Sequence, residues 1–268
     1  MLPIARKPVV QYVAEELVAN GLTDILFVTG RNKSSIENHF DSDPELYRLL
    51  QTNNKKDLLQ EVQFEDLKAH FFYTRQREQK GLGDAILCGE NFAGDQPFAV
   101  ALGDSILGIH ARSQCLSRMM HLFEAHNADC VVAVEEVPPE EVSHYGVVHP
   151  AESAGDWMFV KDLIEKPPAA LAPSNLAIAG RYVFSPLIFG LIRETTPGKH
   201  GEIQLTDAMR KLCQSGKRVL AVKLAAAEKR YDIGNFPSYF ETFVEFALAD
   251  PLHGAAFRDV LLKLLKQP

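Results

Sequence analysis

Short apolar runs alternate along this chain with longer stretches whose apolar residues recur at helical spacing. From Pro8 to Asn20, the residues Val9, Val13, Leu17 and Val18 form one stripe, Pro8 suits a first helical turn, and Gly21 suits a stop. Ile25 to Val28 is a short run of the kind that fills a buried strand, and helical patterns follow over Lys33 to Phe40 and Pro44 to Gln60. Strands at Phe71 to Tyr73, Phe98 to Leu102 and Cys130 to Val134 then alternate with helices at Gly83 to Asn91 and Arg112 to His126. This β-α-β-α rhythm predicts an α/β, Rossmann-like fold with a mostly parallel, doubly wound central sheet and flanking helices.

Beyond Val137 the connections shorten. Strands at Tyr145 to Val148, Phe159 to Ile164, Leu176 to Phe184 and Arg218 to Leu224 are expected to complete the sheet. Helices are expected at Ile203 to Cys213, Tyr239 to Leu248 and Ala255 to Leu264. No repeat, low-complexity tract or linker marks an independent second unit.

The chain has 268 residues, 46% of them hydrophobic and 24% charged, which is ordinary for a globular protein with a substantial core. Its net charge of −7 argues against nonspecific binding to nucleic acid or anionic membrane. A local phosphate pocket can still be positive. No apolar run approaches the ~18–20 residues of a membrane span, and no signal-peptide pattern opens the chain, so a cytoplasmic protein is expected. Cys88, Cys115, Cys130 and Cys213 form no CxxC unit, and the histidines show no metal-ligand spacing. Cys88 and Cys130 sit in apolar runs and are expected to be core thiols. Trp157 and the aromatic run Phe236, Phe240, Phe243 and Phe246 read as core or subunit contact.

Four separated segments carry candidate chemistry. Asp104 follows the apolar run Phe98 to Ala101 and the pair Leu102-Gly103, so its carboxylate sits at a strand end where Gly103 lets a ligand approach the backbone. It would equally suit a turn cap. Asp232 is a second carboxylate in an apolar, glycine-flanked setting, between Tyr231 and Ile233-Gly234. Two such carboxylates can hold one Mg²⁺ against nucleotide phosphates. Gln76 precedes Gly81-Leu82-Gly83, and a carboxamide can pair with a pyrimidine edge while the glycines bring backbone under base and ribose. Asp84 reads as an early-helix acid favoured by the helix dipole. Glu165-Lys166-Pro167 closes a strand, where Glu could accept from sugar hydroxyls and Lys could pair with a phosphate; a surface ion pair is the plainer alternative. Thr206 and Asp207 read as the start of a helix.

Taken in order, and with Val28 to Phe40 (VTGRNKSSIENHF) upstream, these segments resemble the bacterial UTP–glucose-1-phosphate uridylyltransferases of the sugar-nucleotide pyrophosphorylase family. The resemblance covers essentially the whole chain. It implies one nucleotidyltransferase domain over residues 1–268, with a nucleotide-binding half at about 1–137 and a sugar-binding half with C-terminal helices at about 138–268. It implies conversion of UTP and glucose 1-phosphate to UDP-glucose and pyrophosphate, assisted by Mg²⁺, in a homo-oligomer. Asp104 and Asp232 would be the metal ligands, Lys166 would act on the sugar phosphate, and Glu165 would bind the sugar. Gln76, Gly81, Gly83 and Gly103 would hold the nucleotide, and Tyr145, Gly146 and Gly180 would line the sugar-phosphate pocket. Ser105 stands where the family often has a second acidic residue, and Asp84 where His is common.

The resembling family opens with a strand and a glycine-rich phosphate loop that ends in Arg, followed by Lys. This sequence starts after them. The expectation is therefore a native start roughly 20 residues upstream, by analogy with a βα phosphate-binding unit, or a non-catalytic sugar-nucleotide-binding remnant. The first strand of the sheet would be missing and the 268-residue chain nearly inactive. A thymidylyltransferase would share most of these residues. A metal-dependent glycosyltransferase would want DxD, which Asp104-Ser105-Ile106 lacks, and no GxGxxG follows the first strand as a nicotinamide dehydrogenase would need.

Overall fold

The computed structural model describes residues 1–62, 67–198 and 201–266. The chain opens with a short hairpin, β1 (Pro3–Ile4) and β2 (Lys7–Pro8), then α1 (Val9–Ala19), β3 (Asp24–Thr29), α2 (Ser34–Phe40), α3 (Pro44–Thr52) and α4 (Lys56–Glu61). Next come β4 (His70–Arg75), α5 (Leu82–Leu87), α6 (Glu90–Ala93), β5 (Phe98–Ala101), β6 (Ser105–Leu107), α7 (Cys115–Ala125) and β7 (Cys130–Glu136). The second half contains β8 (Gly146–Ala154), β9 (Trp157–Glu165), β10 (Leu176–Phe184), α8 (Leu187–Arg193), α9 (Leu205–Gln214), β11 (Val219–Lys223), β12 (Arg230–Asp232), α10 (Phe236–Ala249) and α11 (Gly254–Leu264).

Six strands form the main sheet in the order β5-β10-β7-β11-β9-β8. The expected α/β architecture holds, with helices on both faces, but strand directions are mixed. β7 and β11 are parallel, whereas β10 runs antiparallel to β5 and β7, and β9 runs antiparallel to β11 and β8. The short connections beyond Val137 explain this, since β8 and β9 are joined by a tight turn at Gly155 (φ 80°) and so must pair antiparallel. A second parallel pair, β3 with β4, stands in its own small sheet.

Alternation along the strands decides which helices cover which face. Cys130, Val132 and Val134 of β7, with Tyr182 and Phe184 of β10, pack under α8 and α9. Val131, Ala133 and Val183 face the other way, against Cys115, Leu116 and Met119 of α7. Leu17 of α1 packs against that second cluster and also against Ile25 and Phe40, tying the small β3–β4 sheet to the main one. Cys130 is fully buried as expected. Cys88 is only half-buried, because it follows the last turn of the short helix α5. Of the aromatic run, Phe246 is a core residue beside Tyr12, Ile106 and Tyr231, whereas Phe236 and Phe240 are exposed.

The long helix expected at Pro44 to Gln60 divides at Asn53 to Lys55, where Asn54 takes a left-handed φ of 53°. Strands β6 and β12 were not foreseen. Each has three residues, too short to show alternation.

One charge is buried at the centre. β10 shifts register against β7 between Ile178 and Tyr182, and within this irregularity Gly180 takes a left-handed φ of 75°. The Arg181 side chain that follows has no exposed surface. It donates to both carboxylate oxygens of buried Glu16 on α1, with Nη2 to Oε2 at 2.7 Å, and to the carbonyls of Gly180 (3.0 Å) and Ser105 (2.9 Å). Removing one partner of such a pair strands the other charge. Arg181→Met is therefore expected to lower folding stability by about 3–5 kcal/mol, with much of that recovered in Arg181→Met/Glu16→Leu. Urea unfolding of both variants measures it; an unchanged midpoint for the single variant would contradict it.

Candidate active site

The segments that carry Asp104 and Asp232 are brought together by the ladder between β6 and β12. Ser105 lies opposite Asp232 and Ile106 opposite Tyr231, and the Ile233 amide donates to the Asp104 carbonyl at 3.1 Å. Two carboxylates far apart in sequence thus start and end the same short ribbon. Asp232 is fixed by its neighbours: Oδ1 accepts from the Gly234 amide (2.7 Å) and Oδ2 from Arg230 (2.8 Å). Arg230 also pairs with Glu135, and its guanidinium carbon lies 4.7 Å from the centre of the Tyr145 ring. Desolvation at the cleft wall, and then the charge of Asp232, push the Asp104 carboxyl above its ordinary value of 3.8.

A cleft of about 330 Å³ opens here. Asp104, Tyr145, Gly146, Glu165, Lys166, Gly180 and Asp232 all line it. Glu165, at the end of β9, accepts from the Thr206 hydroxyl at 2.7 Å. Gly146 is held between these groups: a Cβ there would meet Thr206 Oγ1 at 2.9 Å and Glu165 Oε2 at 3.1 Å. Lys166 takes a left-handed φ of 45°, uncommon for a residue with a side chain, and its Nζ stands 3.9 Å from Glu165. The pair is therefore not a close surface ion pair, and the Lys166 amino group remains largely open to the cleft.

The Gln76 segment borders the cleft through Leu82 and not through Gln76 itself. Gly81 has a φ of 92° and could not carry a side chain, since a Cβ would lie 2.8 Å from the Ile203 carbonyl. Gly83 packs against the same residue and donates its amide to the Ile203 carbonyl at 2.9 Å. The glycines thus dock the start of α5 onto the extended segment leading into α9. Gly103 is exposed, with open space around it, in the turn between β5 and β6. A larger concavity of about 600 Å³ at Asn38 to Arg48 is lined by none of these residues.

Three contributors escaped the reading of the sequence. Thr206 does not cap α9 with its side chain; it holds Glu165. Arg230 lies two residues before Asp232 and hence on the same strand face, a spacing that could have revealed it. Arg181 is a lone charge in the apolar run Leu176 to Phe184, and such a residue needs a buried partner.

Among the described residues no group of three or more His, Cys, Asp or Glu side chains could hold a metal ion by itself. The local donors are all oxygen. They comprise two carboxylates and the hydroxyl of Ser105, which is buried without a hydrogen-bond partner. A hard divalent cation that takes the rest of its ligands from a phosphate fits such a set.

Because Asp104 holds its proton more tightly in the fold than in the unfolded chain, its ionisation opposes folding. That penalty is absent below pH 3.8 and grows as pH rises through the raised value. Asp104→Asn should therefore match the native chain in stability at low pH and exceed it modestly at neutral pH, as thermal unfolding across pH would reveal. A variant less stable at neutral pH would contradict this account of the cleft.

Residues 1–247 match the nucleotidyl transferase family. The UTP–glucose-1-phosphate uridylyltransferase of Bacillus subtilis (strain 168) is 46% identical over 250 residues, covering 93% of this chain and 84% of that protein. A UDP-glucose pyrophosphorylase solved with UDP-glucose superposes with a TM-score of 0.83 at 39% identity, covering 93% of this chain and 90% of that one. A UTP-bound UGPase from Acinetobacter baumannii gives 0.87 at 34% identity, covering 98% and 90%. With the family match, the sequence identity and the superposed fold each extending over nearly its full length, the chain belongs to the nucleotidyl transferase family.

Proposed function

We propose that the chain is a nucleotidyltransferase that joins UTP and glucose 1-phosphate to give UDP-glucose and pyrophosphate. The observation that carries this is the convergence of Asp104, Asp232, Glu165 and Lys166 on one cleft, in a chain whose relatives at this identity bear the uridylyltransferase name. Those names favour the uridylyl reading over the thymidylyl one.

An oxygen of the sugar phosphate attacks the α-phosphorus of UTP in line, the bond from that phosphorus to the α,β-bridging oxygen breaks, and pyrophosphate leaves with its β,γ-bridge intact. No covalent intermediate with the protein is needed, so the protein's part is positioning and charge neutralisation. Lys166, open to the cleft, meets the sugar phosphate. Glu165, with its orientation fixed by Thr206, accepts from sugar hydroxyls beside Gly146 and Tyr145. Gly180 and Gly103 keep the backbone accessible. Gln76 reads the base, and Gly81 and Gly83 shape the nucleoside platform. Asp104 and Asp232 would hold Mg²⁺, which supplies neutralisation of phosphate charge when bound. Strands from both halves share one sheet, which supports one domain with a nucleotide-binding half at residues 1–137 and a sugar-binding half at 138–268. We place it in the cytoplasm as a homo-oligomer. No described helix is long and apolar enough to cross a membrane.

The test is pyrophosphate release from UTP and glucose 1-phosphate, with release from dTTP as the comparison. Asp104→Asn should lower turnover by at least about a hundredfold without loss of fold. Near-normal release by that variant would remove Asp104 from the reaction. In calorimetric titrations, Lys166→Ala should weaken glucose 1-phosphate by about tenfold or more and UTP by less, as expected for loss of a charge-assisted contact. Equal weakening of both ligands would place Lys166 elsewhere.

A further inference from the structure

Gln76 carries the amide that the proposed function assigns to the base, and the structure shows how the nitrogen end of that amide is held. Its Nε2 donates to the Gly81 carbonyl at 3.1 Å and to Asp84 Oδ2 at 2.7 Å. Both partners are acceptors, and an ionised carboxylate and a carbonyl have no proton to give. Turned around, the amide would place its oxygen against two oxygens and leave its donors unmatched. The Gln76–Asp84 bond joins the strand end after β4 to the first turn of α5, and both side chains are half-buried. Asp84 is anchored in its turn, on a helix whose start is docked onto Ile203 by Gly81 and Gly83. The amide therefore has one permitted orientation.

We propose that Asp84 is a specificity-positioning residue: by engaging both the amide nitrogen and the register of α5, it commits Gln76 to present only its oxygen to the base. This rests on the reading that Gln76 faces the nucleobase. An acceptor in that place matches a ring N–H. Uracil and thymine present N3–H, whereas cytosine presents a bare N3 lone pair, which an amide oxygen repels. The pair thus selects uridine over cytidine nucleotides and is blind to the methyl group that separates thymidine from uridine. A free Gln side chain would not give this selection, because it can rotate to offer its donors to cytosine.

The experiment compares UTP, dTTP and CTP binding by calorimetry for the native chain, Asp84→Asn, Gln76→Ala and the double variant. Asn at position 84 carries a donor as well as an acceptor, so it removes one of the two oxygens that oppose the reversed Gln76 amide and leaves only the Gly81 carbonyl against it. The UTP-to-CTP affinity ratio should fall by about tenfold in Asp84→Asn, with dTTP tracking UTP throughout. Gln76→Ala should lower the ratio by a similar factor, and the double variant should lower it no further, because the two residues act as one. An additive loss in the double variant would mean that Asp84 serves the fold independently and would overturn the proposal. A preserved ratio in Asp84→Asn together with a lowered ratio in Gln76→Ala would overturn it while sparing the base reading. A preserved ratio in Gln76→Ala would overturn both. A ligand-free measurement stands beside these: the side-chain amide protons of Gln76, followed by ¹⁵N NMR, should shift upfield in Asp84→Ala as the carboxylate bond is lost. Unmoved resonances would likewise overturn the assignment.

Discussion

Arg181 brings a full positive charge into a place without water, and its surroundings are arranged to meet that charge. Its donors reach the Glu16 carboxylate on α1, the Gly180 carbonyl beside it in β10, and the Ser105 carbonyl at the start of β6. One guanidinium thus fastens the first helix, the irregular centre of a sheet strand and the segment that carries Asp104. Leaving any of these acceptors unmet would be expensive at zero exposure, so their relative positions are closely constrained. An ammonium could not reproduce the arrangement, because it lacks the planar fork that serves several acceptors at once.

The cleft inherits its geometry from that constraint. With Ser105 tied down, the antiparallel ladder to β12 fixes Asp232 relative to Asp104, and Arg230 links the same ribbon to Glu135 and Tyr145. Mutual repulsion between the two carboxylates is tolerated because the ladder and the Arg230 contact hold them in place. The opposite wall is built on a different principle. There, close glycine packing at Gly146 and Gly81 brings Glu165, Thr206 and the start of α5 nearer than side chains would permit. Charge fixes one side of the site and the absence of Cβ atoms fixes the other.

The same division separates general binding from discrimination. On the proposed reading, the positioned carboxylates and the left-handed Lys166 would suit any sugar phosphate and nucleoside triphosphate. Selection of a particular base needs a polar group whose donor and acceptor ends cannot exchange, and Asp84 with the Gly81 carbonyl imposes that on Gln76.

Periodicity and turn chemistry were enough to outline most long elements, because a strand buried on both faces, such as β10, or a striped helix, such as α1, writes its environment into consecutive residues. The candidate site residues were legible as glycine-flanked polar groups in apolar contexts, and their order along the chain carried the family resemblance. Strand direction was not legible, since a run of Val and Ala reads alike in a parallel or antiparallel pair. Nor were β6 and β12, whose three residues each acquire strand geometry only from one another. The partnerships of Arg181 with Glu16, Thr206 with Glu165 and Asp84 with Gln76 join residues 165, 41 and 8 positions apart. The sequence could show that each of these polar groups must be satisfied, whereas only the packed chain decides which partner reaches it, because that choice depends on distances no local pattern encodes.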